Sequence, residues 1–373
     1  MSTSAQTPST MLAMVKKARV GDLSNPIHAI FRKANFRNVS DDEYEALEPA
    51  LRLATRLLTT KELAGFPHAL LVAPYGHWQG PSHEDWWFQE RLPALTTQDM
   101  VEYETALSAL ADMVIFQMVD TESRGCGCCK DNDKSTPPQG THLLSCSEIE
   151  LSREDVAWAV NNRDTASELA NQKHSITLAQ IMCHELMHAM ASARLGGDYP
   201  VPFNMPFGWQ TVVETGYEWE QYVFGGLLVT WRSDHISMQT PHDFEALDLR
   251  IAAWPLASVT RHYIAKDYPV TVWVEPPPIE VHWLIDPTQN HGWIPSLFST
   301  HFWEHVVPEQ GAGAVKPPKQ RGIRHQVDSV GKTAEVADPL ALPADTIPDG
   351  YEEDPVDGEV LLKTTQEGVW TEI

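Results

Sequence analysis

His184-Glu185-Leu186-Met187-His188 puts two imidazoles and a carboxylate within five residues. Residues four apart share a helical face, so His184 and His188 can turn their rings toward one ion. Neutral imidazole nitrogens suit zinc, and a neighbouring glutamate can take a proton from a zinc-bound water. The pattern H-E-x-x-H on a helix therefore reads as a candidate zinc site with Glu185 as general base. The chain holds 16 His, enough for the bare pattern to arise by chance, so its surroundings must decide.

Those surroundings are helical and apolar. Ile176, Ile181, Leu186, Met187, Met190 and Leu195 recur among alanines, and no Pro or Gly interrupts them before Gly196-Gly197. The expected helix runs from about Ile176 to Leu195, with Ser175 as N-cap and the glycine pair as stop. A buried helix carrying two His and a Glu is costly unless those groups are paired or bind a metal.

A catalytic zinc needs a third protein ligand and an open position. The stretch Val212-Val213-Glu214-Thr215-Gly216-Tyr217-Glu218-Trp219-Glu220 offers acids at a suitable distance along the chain. On a helix, Glu214 and Glu218 would share a face. Glu214 is expected to bind the ion and Glu218 to accept a hydrogen bond from a ligand His, fixing its tautomer. The reverse assignment is the main competitor, and Glu220 or a distant His is the remaining alternative. The bland reading is an amphipathic helix with solvated acids. Val212, Val213, Tyr217, Trp219, Tyr222, Val223 and Phe224 leave little room for such a stripe.

The segment Ser175–Leu195 with Glu214–Glu218 resembles the gluzincin branch of zinc metallopeptidases. The metzincin pattern does not fit, because Ala189-Met190-Ala191-Ser192-Ala193-Arg194 lacks its Gly and third His. The resemblance implies an α+β fold, a mostly helical zincin-like domain with a small sheet packed on the H-E-x-x-H helix. It also implies an edge strand that pairs with substrate backbone, expected at Leu143–Leu151, where Ser147, Ile149 and Leu151 alternate. The expected activity is Zn2+-dependent hydrolysis of a peptide or amide bond. Alternatives are hydrolysis of a small-molecule amide or ester, or a non-catalytic zincin-like interaction protein. Tyr217, Tyr222 and His235 are chemically able to stabilise an oxyanion. The aromatic-rich 65–93 and Trp293–Trp303 segments could roof a small pocket.

Composition narrows the partners. A formal net charge of −24 argues against nucleic acid or an anionic membrane as the main partner. No run of 18 apolar residues predicts a membrane span, and Met1–Gly21 lacks the apolar core of a secretory signal. A cytoplasmic protein is expected. Its five Cys are too few and too clustered for a disulfide framework. Cys126, Cys128, Cys129 and Cys146 could hold a structural zinc, form a redox-sensitive disulfide, or be plain loop thiols. Cys183 reads as a small core residue.

Three regions are expected: a partly disordered 1–40, a catalytic domain over 41–310, and a flexible tail over 311–373. From Val327 onward the tail carries 12 acids against two Lys. Within the domain, Asp41-Asp42 opens a helix with Tyr44, Leu47, Leu51, Ala54, Leu57 and Leu58 on one face. Met100–Val119 reads as a core helix, and a short helix capped by Ser152 runs to about Asn162. Gln210–Val223 reads as a helix ended by Gly225-Gly226. Helical material is expected over Pro241–Tyr268, a β-like run at Val270–Val274, and an amphipathic segment at Trp293–Val307.

Overall fold

The computed structural model describes residues 21–73, 75–79, 84–88, 94–120, 128–131, 143–195, 214–231, 248–252, 279–285, 292–319, 322–327, 333–335, 351–353 and 360–362. Its helices are α1 (Asp41–Thr59), α2 (Gly65–Leu71), α3 (Thr97–Leu110), α4 (Arg153–Asn162), α5 (Glu168–Leu195), α6 (Thr215–Phe224) and α7 (Trp293–Leu297). A π-helical turn (Phe302–Val306) then leads into α8 (Val307–Gln310). The strands are β1 (Phe36–Arg37), β2 (Tyr75–Gln79), β3 (Glu84–Phe88), β4 (Val114–Val119), β5 (Cys128–Asp131) and β6 (Ser147–Ser152). They continue with β7 (Leu227–Trp231), β8 (Asp248–Ala252), β9 (Ile279–Leu284), β10 (Gly322–Val327), β11 (Thr333–Glu335), β12 (Tyr351–Glu353) and β13 (Val360–Leu362). Helices and separate small sheets make this an α+β protein.

The candidate motif lies on α5, the longest helix, which packs against α1, α2, α6, β5 and β6. It starts well before the expected Ser175. Ser167 accepts the Ala170 amide at 3.1 Å and caps the chain two turns earlier. The polar run Asn171–Ser175 disguises this start, because it is buried yet supplied with partners. His174 Nε2 donates to the Asp155 carbonyl at 2.9 Å, and Asn171 donates to the Arg163 carbonyl at 3.1 Å. At its other end Arg194 donates to the carbonyls of Leu71 (2.9 Å) and Ala73 (3.1 Å), tying α5 to the C-terminus of α2.

Beside α5 lies a four-stranded sheet in the order β1-β4-β6-β5. β1, β4 and β6 are parallel, and β5 runs antiparallel to β6. β4 and β6 bury alternate residues, so Phe116 and Ile149 face the core together. Phe36 stacks on Phe116 with ring centroids 4.7 Å apart. Two expectations change here. Met100–Val119 is not one helix: α3 ends at Leu110 and Val114–Val119 is the inner strand β4. Its alternating, partly β-branched residues suit a pleated surface better than a helix. The strand expected at Leu143–Leu151 forms over Ser147–Ser152, but it is paired on both sides, and among the described strands β5 lies at the edge beyond it.

α1 begins as expected, with a reciprocal capping box between Ser40 and Glu43. α4 follows Ser152, although that side chain makes no cap hydrogen bond. A second, antiparallel sheet has the order β11-β10-β9-β8-β7. It corrects two further expectations. Residues 248–252, inside the stretch expected to be helical, form β8. The segment after Gly311 is not all tail, since β10 pairs with β9 and Val315 is buried in the main core. At the N-terminal end, Ile30, Phe31 and Phe36 belong to that core, so 21–40 is ordered. Val270–Val274 lies outside the described residues. Among the described residues no helix is long and apolar enough to cross a membrane.

Candidate metal centre

His184 and His188 sit one turn apart on α5, with ring centroids 5.2 Å apart. α6 delivers the third group. Glu214 is its N-cap residue, with φ −147° and ψ 95°, so it stands just outside the helix. One carboxylate oxygen, Oε2, accepts the Tyr217 amide at 2.6 Å. The other, Oε1, faces both imidazoles, 2.6 Å from His188 Nε2 and 3.5 Å from His184 Nε2. One atom from each residue lies within 4.8 Å of the others.

The Glu214–Glu218 pairing on one helical face does not form, because Glu214 is not in the helix. The face turned toward His184 is that of Gly216 and Glu220, which are i and i+4. Glu220 Oε1 accepts from His184 Nδ1 at 2.8 Å, and its Oε2 accepts the Leu228 amide at 3.1 Å. Gln180 also bonds this fully buried carboxylate. Glu220 thus takes the orienting role expected of Glu218, and turns His184 Nε2 toward the centre. Glu218 is buried too, but it stands roughly 200° around the helix from Gly216 and outside the cluster.

Two glycine features let α6 come this close. A Cβ built on Gly216 would overlap the His184 ring, so the first turn of α6 can lie against the imidazole only without a side chain there. Gly225 ends α6 in the left-handed region (φ 68°), and Gly226 follows at φ 154°. A Cβ on Gly226 would collide with Ile251 and the Ala252 carbonyl. This turn brings the Leu228 amide back onto Glu220. The glycine pair was readable as a helix stop. Gly216 was not singled out, although a glycine in the first turn of a buried helix is a signal of close approach.

The electrostatics follow from burial against pairing. Burial opposes charge on His184, yet Glu214 and Glu220 outweigh it and hold its imidazolium well above the usual range. His188 is raised in the same way, burial being outweighed mainly by Glu214, with Glu185 adding to the rise. Burial would raise Glu214, but the two imidazoles hold its carboxyl far below the usual range. Burial leaves Glu220 raised despite its hydrogen-bond donors.

The donor set fits a tetrahedral metal. Ligands at zinc distances of 2.0–2.1 Å stand about 3.3 Å apart. The His184–Glu214 separation matches that spacing, and His188 and Glu214 need to part by well under 1 Å. Glu185 follows His184 on the buried helix (7 % exposed). Among the described residues no hydrogen bond or ion pair engages its carboxylate. Tyr217 meets the His184 ring edge-on at 4.7 Å. Tyr222 does not point here, since its ring stacks on Phe66 and its hydroxyl donates to the Glu62 carbonyl at 3.5 Å. His235 lies outside the described residues.

Other expected features lie away from the centre. Trp293 and Trp303 lie in the main core. Their indole N–H groups donate to the Val315 and Leu297 carbonyls. Cys146 and Cys183 are free and buried, and burial pushes both thiols up. Cys183 is the core residue it was read as. Cys128 and Cys129 lie on β5, opposite Glu150 and Ile149, and Cys126 lies outside the described residues.

No family model, curated protein or solved structure matches this chain. The geometry therefore carries the functional reading alone.

Proposed function

We propose that this protein is a zinc-dependent hydrolase with a gluzincin-like centre, acting on peptide or amide bonds. The observation that carries the reading is the convergence of His184 Nε2, His188 Nε2 and Glu214 Oε1, with His184 Nδ1 held by Glu220. A metal cluster that is merely structural needs no free carboxylate beside it, and Glu185 supplies one.

His184, His188 and Glu214 would hold the ion. Bound there, zinc would lower the pKa of a coordinated water toward neutrality and polarise a carbonyl. Glu185 takes the proton of the attacking water and passes it to the leaving nitrogen. Glu220 keeps His184 in the tautomer whose Nε2 faces the ion. Tyr217, whose ring meets His184 edge-on, is a candidate to donate to an oxyanion.

The edge strand favours an extended peptide over a small molecule. β5 ends its sheet, packs beside α5, and runs antiparallel to β6. Among the described residues no strand pairs with its outer edge, which could take one more strand, as peptide-binding sheet edges do. Free, buried thiols at Cys146 and Cys183 suit the reducing cytoplasm, which belongs to the same proposal.

Metal analysis together with cleavage of a peptide library, for the parent and Glu185→Gln, tests the reading. One bound zinc and cleavage lost only in the variant supports it. Cleavage of small esters but no peptide would move the substrate class. Zinc without any turnover would leave a non-catalytic core.

A further inference from the structure

His301-Phe302-Trp303-Glu304-His305 repeats the four-residue histidine spacing on another element. His301 already has helical dihedrals (φ −59°, ψ −40°), and the π-helical turn carries the chain on to His305. The two ring centroids are 4.7 Å apart at an interplanar angle of 46°. That is close to the 5.2 Å and 58° of the candidate metal centre. Both residues are exposed. Among the described residues neither ring has a hydrogen-bond or ion-pair partner.

The backbone under this pair is fixed from inside. Phe302 and Trp303 are buried, and the Trp303 indole donates to the Leu297 carbonyl at 2.8 Å. Glu304 is drawn toward Arg56 at 3.5 Å, away from any role as a third donor. π-Helical turns are uncommon and cluster at functional sites. Here the turn keeps two free imidazoles side by side over a rigid base, so little ordering is needed for both to take one ion.

We infer that His301 and His305 form a second, solvent-facing site for a late first-row divalent cation such as Ni2+, Cu2+ or Zn2+. Imidazole prefers these ions to Mg2+ or Ca2+. Two protein ligands with water completing the shell make the site weaker and more exchangeable than one with three buried ligands. It is independent of the catalytic proposal, since no residue is shared.

The test is a calorimetric titration of the full chain, first loaded with one equivalent of Zn2+, with Ni2+ as the probe. A weaker binding step is expected, lost in His301→Ala and in His305→Ala. In the parent, Ni2+ at tenfold excess over its dissociation constant should raise Tm by roughly 1–2 °C, and the His305→Ala chain should lack that rise. The absence of a weaker step in the parent, or its persistence in both histidine variants, would overturn the inference.

Discussion

Two histidine pairs in this protein share one sequence spacing and nearly one ring separation, 5.2 Å at His184/His188 and 4.7 Å at His301/His305. Their surroundings make them different objects. The first is largely buried, flanked by Glu185, and met by one carboxylate from the cap of α6 and one from its body. The second faces water, and among the described residues no carboxylate completes it. Spacing creates the possibility of chelation. Burial and oriented acids turn it into a centre that can hold charge and move a proton, because fixed dipoles and charges act more strongly where water is excluded.

The comparison can be broken most sharply at Glu185. Changing it to Gln should lower kcat by roughly 10²–10⁴-fold while metal content stays at one equivalent, since only the base is lost. Retained turnover would place catalysis elsewhere. Next comes Glu220→Ala, which frees His184 Nδ1 and should weaken zinc binding by roughly 10–100-fold in a competition assay. An unchanged affinity would reduce Glu220 to a structural acid. Gly216→Ala forces a methyl into the His184 ring and should cost about 1–3 kcal/mol of stability, together with metal affinity. Chemical denaturation and zinc competition read the two effects separately.

Acidity distinguishes the pairs as well. His184 and His188 have raised pKa values in the metal-free fold, so their contribution to stability is full below about pH 6.5 and is lost as pH rises through the raised values. Zinc requires both imidazoles deprotonated, so its affinity should climb over the same rise in pH. Thermal melts with and without zinc should therefore diverge as pH increases from 6.5. Parallel curves would mean that the metal binds elsewhere. The smallest effect is expected at the exposed pair, where His305→Ala should change metal-free stability by no more than about 0.5 kcal/mol.

Much of the candidate site was legible in the chain. Histidines four apart on an uninterrupted apolar helix must share a face, and Glu214 lies at a loop's reach from them. The second carboxylate was not legible. Its assignment to Glu218 assumed that Glu214 sat inside the helix, whereas the chain enters α6 at Thr215 with Glu214 as cap. Shifting that boundary moves the face presented to His184 from 214 and 218 to 216 and 220. Helix ends are set by local capping, which periodicity cannot see. The same weakness hid the division of 100–119 into helix and strand, where both periods are apolar, and the early start of α5 among buried polar residues.

Periodicity, capping residues and the histidine spacing are local properties, so the sequence by itself determined α1, the turn that ends α6 and the existence of the H-E-x-x-H helix. What only the tertiary structure decided is which distant groups meet. β6 became an inner strand because β5, from a different stretch of chain, pairs antiparallel along its outer side. Residues 322–327 joined a sheet because β9 offered an edge. Glu220 reached His184 because Gly216 has no side chain and the Gly225-Gly226 turn returns the Leu228 amide. These outcomes depend on close approach between segments far apart in the chain, and no window of sequence contains both partners.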